Sequence, residues 1–150
     1  MGKADLGDVH DSRTQAGSAN DLIRVGSQGA PYLFLGTGSG VKLAEQVARM
    51  VGNADVVSCP RLKPFPTASL SELVRGRAGI VTFEEHAVDG GLGSIIAERL
   101  LGSFIGKFLR IGIDDRFSLE CGNYQYLMGW HGLAPEVVTD RVRKALHGNA

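Results

Sequence analysis

Twice along the chain a short apolar run ends in a cluster of glycines, and a helical pattern begins at once. The first cluster is Gly36-Thr37-Gly38-Ser39-Gly40, following Tyr32 to Leu35. The second is Gly90-Gly91-Leu92-Gly93, following the run Ile80 to Phe83 and the polar stretch Glu84-Glu85-His86-Ala87-Val88-Asp89. A strand that becomes a helix within a few residues is the building unit of an open α/β sheet, and glycine serves wherever such a turn must be tight. Glycine is accordingly abundant, 21 of 150 residues or about twice the usual share, and it forms no repeat or low-complexity tract.

The rest of the chain extends this pattern. Residues 1–20 are polar and mixed in charge, without an apolar period, and read as a linker; folded sequence starts near Leu22 and makes one domain over 21–148. Leu22 to Val25 and Tyr32 to Leu35 are two strands separated by Ser27-Gln28-Gly29, an arrangement that predicts a hairpin. Leu43, Val47, Met50 and Val51 then make the apolar stripe of a helix stopped by Gly52-Asn53. Ala54 to Cys59 is a strand, interrupted by Pro60, Pro64 and Pro66. Ser69-x-x-Glu72 has the form of a capping box opening a short helix through Val74. Further elements are the strand Ile80 to Phe83, a helix around Ser94 to Leu101, the strand Phe108 to Ile113, a short helix from Tyr124 to Trp130, and a last helix after Leu133-Ala134-Pro135-Glu136. Strands alternating with helices in this way predict three layers, α/β/α, around a mostly parallel five-stranded sheet with one antiparallel strand.

Charge and cysteine content remove several functions. Sixteen basic residues balance 16 acidic ones, which argues against a nucleic-acid or anionic-membrane partner. No apolar run approaches the roughly 20 residues needed to cross a bilayer, and the first residues lack the apolar core of a secretory signal. Cys59 and Cys121 stand in no motif and read as buried small hydrophobes of a reduced, cytoplasmic protein. Nucleophile-elbow and zinc-ligand spacings do not occur.

Both glycine turns invite a phosphate reading, because the free amides of a helix N-terminus favour anions. In the first turn, position 41 is Val and no acidic residue ends the next strand, so a dinucleotide fingerprint is incomplete. A tight turn with Thr37 or Ser39 capping the helix is the simpler expectation. In the second turn, Glu84 and Glu85 precede the glycines and would repel an anion, and a P-loop lysine is absent. Glu84, Glu85, His86 and Asp89 are metal-ligating types, yet alternate strand residues face opposite sides, which keeps Glu84 and Glu85 apart. His86 beside two carboxylates leaves an acid/base pair open, and helix capping with packing against another domain is equally open. His10, His131 and His147 read as exposed, and Tyr124, Tyr126 and Trp130 as core beside a short helix.

The run TFEEHAVDGGLGSIIAERL, Thr82 to Leu100, closely resembles the signature of the C-terminal domain of transketolases and related thiamine-diphosphate enzymes. YLFLGTGSGVKLAEQVA, VVSCPRLKPFP, RIGIDDRFSLECG and GLAPEVVTDRVRKAL are similar, in order, to that domain's other segments, so the likeness covers about Leu22 to Leu146. The resemblance implies that thiamine diphosphate and its Mg2+ are held by other domains or by a partner subunit. None of the cofactor-binding or catalytic groups is then expected in this chain. It implies a role in docking against those domains within a homo-oligomeric assembly that transfers a two-carbon ketol unit between sugar phosphates. Glu84, Glu85, His86, Asp89, Gly90, Gly91 and Gly93 become interface and helix-capping groups. The segment GKADLGDVH is similar to the end of a preceding domain, with Lys3 near a phosphate-contacting arginine of the family. Phe83, in place of an aliphatic residue, and Cys121, in place of Ser, are departures that blur the subfamily. The spelling of the motifs ranks a transketolase first, a deoxyxylulose-phosphate synthase second and a pyruvate-dehydrogenase-type beta subunit behind them. A non-catalytic module binding a small ligand or protein at the crevice of residues 36–40 and 84–93 is the reading from a different class.

Overall fold

A computed structural model describes residues 22–26, 28–114 and 121–148. Among these, the elements run β1 (Ile23–Val25), β2 (Tyr32–Gly36), α1 (Gly40–Val51), β3 (Ala54–Ser58), α2 (Thr67–Leu73), β4 (Gly79–Ala87), α3 (Leu92–Leu100), β5 (Lys107–Ile113), α4 (Tyr124–Trp130) and α5 (Pro135–His147). The sheet has five strands in the order β1-β3-β2-β4-β5. β3, β2, β4 and β5 are mutually parallel, and β1 adds antiparallel to the outer edge of β3. The mostly parallel sheet with one antiparallel strand stands as expected, but the expected hairpin does not form: Ile23 pairs with Ser58, not with a residue of β2. Both edges of β2 are taken by β3 and β4, so β1 can extend the sheet only at β3.

The alternation of the strands assigns the two layers. Phe34, Val56, Val81, Phe83 and Ile111 face α1 and α5, where they pack with Val47, Val138 and Val142. Leu33, Leu35, Val57 and Ile80 face α2 and α3, packing with Leu70, Leu73, Leu92 and Ile96. A central parallel strand covered on both sides must be apolar throughout, which is why Leu33, Phe34 and Leu35 are all fully buried. One buried ion pair crosses this arrangement: Arg77 Nη1 lies 2.7 Å from Asp55 Oδ2, and the same carboxylate accepts from Gly29 N at 2.8 Å and Ala30 N at 3.2 Å. It ties the loop before β2 to β3 and to the segment entering β4.

Several local expectations need correction. α2 begins at Thr67 after Pro66, so Ser69 is interior and does not cap; the proline fixes the start of the helix. α1 buries Val41, Leu43, Ala44 and Val47, whereas Met50 is 37% exposed at its end and Val51 half-buried. α4 has no buried residue, so Tyr124, Tyr126 and Trp130 are not core. His131 is buried: α4 ends before it, Gly132 with φ +72° turns the chain, and its ring packs edge-on against Trp130. Cys59 is buried, and burial pushes its thiol up to about 12, but Cys121 is exposed in the stretch leading into α4. Lys3, His10 and the rest of the segment expected to be a linker lie outside the described residues, as do residues 115–120.

Candidate functional site

The C-terminal end of β4 carries most of the polar groups singled out above, and strand alternation divides them. Thr82, Glu84 and His86 point to the α2/α3 layer; Phe83 and Glu85 point to the α1/α5 layer. The two adjacent glutamates therefore do not converge.

Glu84 is fully buried beneath the N-terminus of α3. Its Oε2 accepts from Leu92 N at 2.6 Å and its Oε1 from Gly93 N at 3.0 Å. These are amides that a helix start leaves without partners, and they lie where an anion would bind. The protein fills that position with its own carboxylate. Burial holds the Glu84 carboxyl above its ordinary value of 4.5, against the opposing pull of the two amides, His86 and Arg110. The glycines make room for it. A Cβ on Gly91 would stand 2.0 Å from Glu84 Oε2, and one on Gly93 would stand 2.7 Å from Thr82 Oγ1 and from the Arg110 side chain. Gly90, at φ +79°, makes the turn itself.

Around this cap lies a second ring of contacts. His86 Nδ1 is 3.2 Å from Glu84 Oε2, with the imidazole 45% exposed. Ser94 Oγ accepts from Gly90 N at 3.0 Å and donates to Val88 O at 3.1 Å. Arg110 from β5 donates to Val88 O, to Ser94 Oγ and, at 3.4 Å, to the exposed Asp89. Arg110 escaped the reading of the sequence, because an arginine inside an apolar strand pattern announces no partner. His86, Asp89, Gly90 and Gly91 also line an open cleft of about 480 Å3 with Leu62, Lys63, Ala87 and Ile95.

The first glycine turn is closed by different means. Gly40 N, Val41 N and Lys42 N donate to the carbonyls of Thr37, Gly38 and Ser39 at 3.0 to 3.2 Å, so the opening amides of α1 are spent within the turn. Neither Ser39 nor Thr37 caps the helix through its side chain: Thr37 Oγ1 donates instead to Cys59 O at 3.0 Å. Thr37 N reaches Phe83 O at 3.2 Å, and a Cβ on Gly40 would meet that oxygen at 2.4 Å. α1 thus starts in direct backbone contact with β4, across the point where the strand order reverses and where open α/β sheets usually take ligands.

On the α1 side Glu85 accepts a hydrogen bond from Tyr124 OH and one from Ser39, while burial holds its carboxyl above the usual value of 4.5. The aromatic partner from α4 was the less visible contact in the sequence, since it lies 39 residues away. A diphosphate with its magnesium would need free amides or a cluster of ligating side chains. The amides of Gly40 to Lys42 and of Leu92 and Gly93 are occupied, and among the described residues no group of three or more His, Cys, Asp or Glu is placed to hold a metal. The residues present therefore do not fit that group. No helix among the described residues is long and apolar enough to cross a membrane.

Residues 22–138 match the family described as transketolase, C-terminal domain. Among curated proteins, 1-deoxy-D-xylulose-5-phosphate synthase of Geobacillus thermodenitrificans is 37% identical over 127 residues, covering 82% of this chain and 20% of that protein. The synthase of Gloeobacter violaceus is 34% identical over 123 residues, covering 79% of this chain and 19% of that protein. The chain spans about a fifth of the length of these relatives. Among solved structures, a split-gene transketolase in the form of an inactive β4 tetramer superposes with a TM-score of 0.72 at 31% identity, over 82% of this chain and 41% of that one. A transketolase variant from Pichia stipitis shares the fold, with a TM-score of 0.62 at 20% identity over 85% of this chain and 18% of that one.

Proposed function

The chain belongs to the transketolase C-terminal domain family, and we propose that it is the docking domain of a thiamine-diphosphate-dependent enzyme that transfers a two-carbon ketol unit between sugar phosphates. On this reading the cofactor, its Mg2+ and the catalytic groups belong to other domains or to a partner subunit, in a cytoplasmic, homo-oligomeric assembly. The observation that carries the reading is the use made of Glu84. The segment from Thr82 to Leu100 spends its buried carboxylate and two of its glycines on holding the N-terminus of α3. A group committed in this way orders a surface; it is not available to reacting atoms. His86 and Asp89 border that surface and are the residues we assign to contact with the neighbouring domain.

The test is calorimetry and an activity assay on the purified chain, followed by the same assay after mixing with a thiamine-diphosphate-binding subunit of the family. The chain alone is expected to show neither cofactor binding nor turnover, and the mixture to turn over a ketose phosphate donor with an aldose phosphate acceptor. Tight binding of thiamine diphosphate by the chain alone would overturn the proposal. A second reading, a synthase of 1-deoxy-D-xylulose 5-phosphate, is favoured by the 37% and 34% identities to two such enzymes. Product analysis of the mixture supplied in turn with a ketose phosphate and with a 2-oxo acid as donor separates the two readings, because the methyl group of a 1-deoxy sugar phosphate can come from a decarboxylated 2-oxo acid but not from a ketol unit.

A further inference from the structure

At the fold's usual ligand position, between β2 and β4, the first turn lies in backbone contact with Phe83, and the N-terminus of α3 is taken by Glu84. The open concavity beside it is a cleft of about 480 Å3 bounded by the start of α1, the end of β4, α4 and the start of α5. This is within the size range of small-molecule sites. Its walls combine three chemistries. Glu85 brings a carboxylate fixed by the Tyr124 and Ser39 hydroxyls. Lys42 brings an ammonium that forms no ion pair among the described residues. Leu43, Met128, Leu133 and Pro135 bring an apolar surface.

Two opposite charges that share a cleft without pairing, beside an apolar wall, complement a molecule carrying both charges on one end and a hydrocarbon on the other. We propose that the cleft between Lys42, Glu85 and Met128 binds a small zwitterion of the apolar α-amino-acid type, with its ammonium on Glu85 and its carboxylate on Lys42. A simple cation would meet Lys42 and a simple anion would meet Glu85, so each lone charge gains one attraction and suffers one repulsion. The zwitterion gains both, and its side chain covers Leu43, Met128 and Leu133. Tyr124 holds Glu85 by its hydroxyl, so the receiving carboxylate is fixed before the ligand arrives. This site is separate from the docking role: its failure leaves that reading untouched, and the absence of turnover in the mixed enzyme leaves this one untouched.

The experiment is amide NMR of the full chain at pH 8, titrated with L-leucine, with 3-methylbutylamine (leucine without its carboxylate) and with 4-methylpentanoate (leucine without its ammonium). Leucine is expected to give saturable shifts at Ser39, Lys42, Gln46 and Gln125, with each single-charge analogue at least about tenfold weaker. Glu85→Gln and Lys42→Met are each expected to weaken leucine about tenfold while the spectrum of the rest of the domain is kept. The proposal is overturned if leucine gives no saturable shift at these residues, if the three probes bind alike, or if both variants bind leucine as the parent does.

Discussion

The two strand-to-helix turns have the same glycine-rich appearance and solve the same problem in opposite ways. At α1 the opening amides fold back on the carbonyls of Thr37, Gly38 and Ser39, and the turn rests on β4 through backbone alone. At α3 the amides of Leu92 and Gly93 are held by a side chain from the preceding strand, the buried carboxylate of Glu84. The first solution contains nothing that titrates and nothing that a rotamer change can relieve. The second contains an ionisable group on a flexible stem. A helix N-terminus after glycines is therefore an anion site only when its amides are left free, and here two unrelated devices keep them occupied.

That contrast ranks the consequences of filling each turn. In Gly40→Val the new Cβ meets Phe83 O at 2.4 Å, and both partners are backbone in a central strand and a helix start. The expected cost is at least about 3 kcal/mol, a fall in Tm of about 6–12 °C, measured by thermal unfolding. In Gly91→Val the clash is with Glu84 Oε2, the end of a side chain. The carboxylate can swing away, at the cost of two unsatisfied amides, for about 2–3 kcal/mol. If Gly91→Val proves the more damaging, the distinction between a rigid and a yielding closure is wrong.

Titration sharpens the same contrast. Glu84 and Glu85 both have folded-state values raised above 4.5 by burial, so the folded protein holds these protons more tightly than the unfolded chain does. The stability they contribute is fully present below 4.5 and is lost as pH rises through the raised folded values, with a slope of at most about 1.4 kcal/mol per pH unit for each group. Glu84→Gln removes its share of that slope. Above the folded value of Glu84 it also costs about 1 kcal/mol, because the amide nitrogen cannot accept from one of the two backbone donors that the ionised carboxylate holds. Denaturant unfolding between pH 4.5 and 8, with hydrogen exchange at Leu92 and Gly93 against Gly40 to Lys42, checks both parts. An unchanged slope in the variant would remove Glu84 from the account, and pH-dependent exchange confined to the α1 turn would reverse it.

Much of this was legible in the chain itself, and the parts that were not share a cause. Apolar runs and glycines located the strands and turns, because a doubly covered strand such as β2 must be apolar at every position. The parity of β4 was enough to separate Glu84 from Glu85. The expected hairpin of β1 with β2 failed because strand neighbours depend on which edges remain free, a property of the whole sheet. Side-chain capping by Ser39 and by Ser69 failed because Gly40 to Lys42 and Pro66 had already set the helix starts by backbone means. Glu84 as the partner of Leu92 and Gly93 was only half visible: its residue type and nearness suggested a cap, whereas its burial requires the layer of α3 above it. Arg110 and Tyr124 close the two sides of the site from 21 and 39 residues away, and a linear pattern does not register such pairs.

The smallest expected effect lies at the rim of the second turn. Asp89 is 78% exposed and meets Arg110 at 3.4 Å, and it was one of the residues whose charge made the segment look chemical. Arg110 does not depend on it, since the same Nη1 also donates to Val88 O at 3.0 Å and to Ser94 Oγ at 3.2 Å. An exposed pair of this kind is worth at most about 0.5 kcal/mol in water with salt. Asp89→Ala is therefore expected to change Tm by no more than about 1–2 °C, with the amides of Leu92 and Gly93 as protected from exchange as in the parent chain. If the variant instead loses protection at those two amides, the closure of α3 extends beyond the buried carboxylate to its exposed rim. The two turns would then differ in how far their supports reach as well as in what those supports are made of.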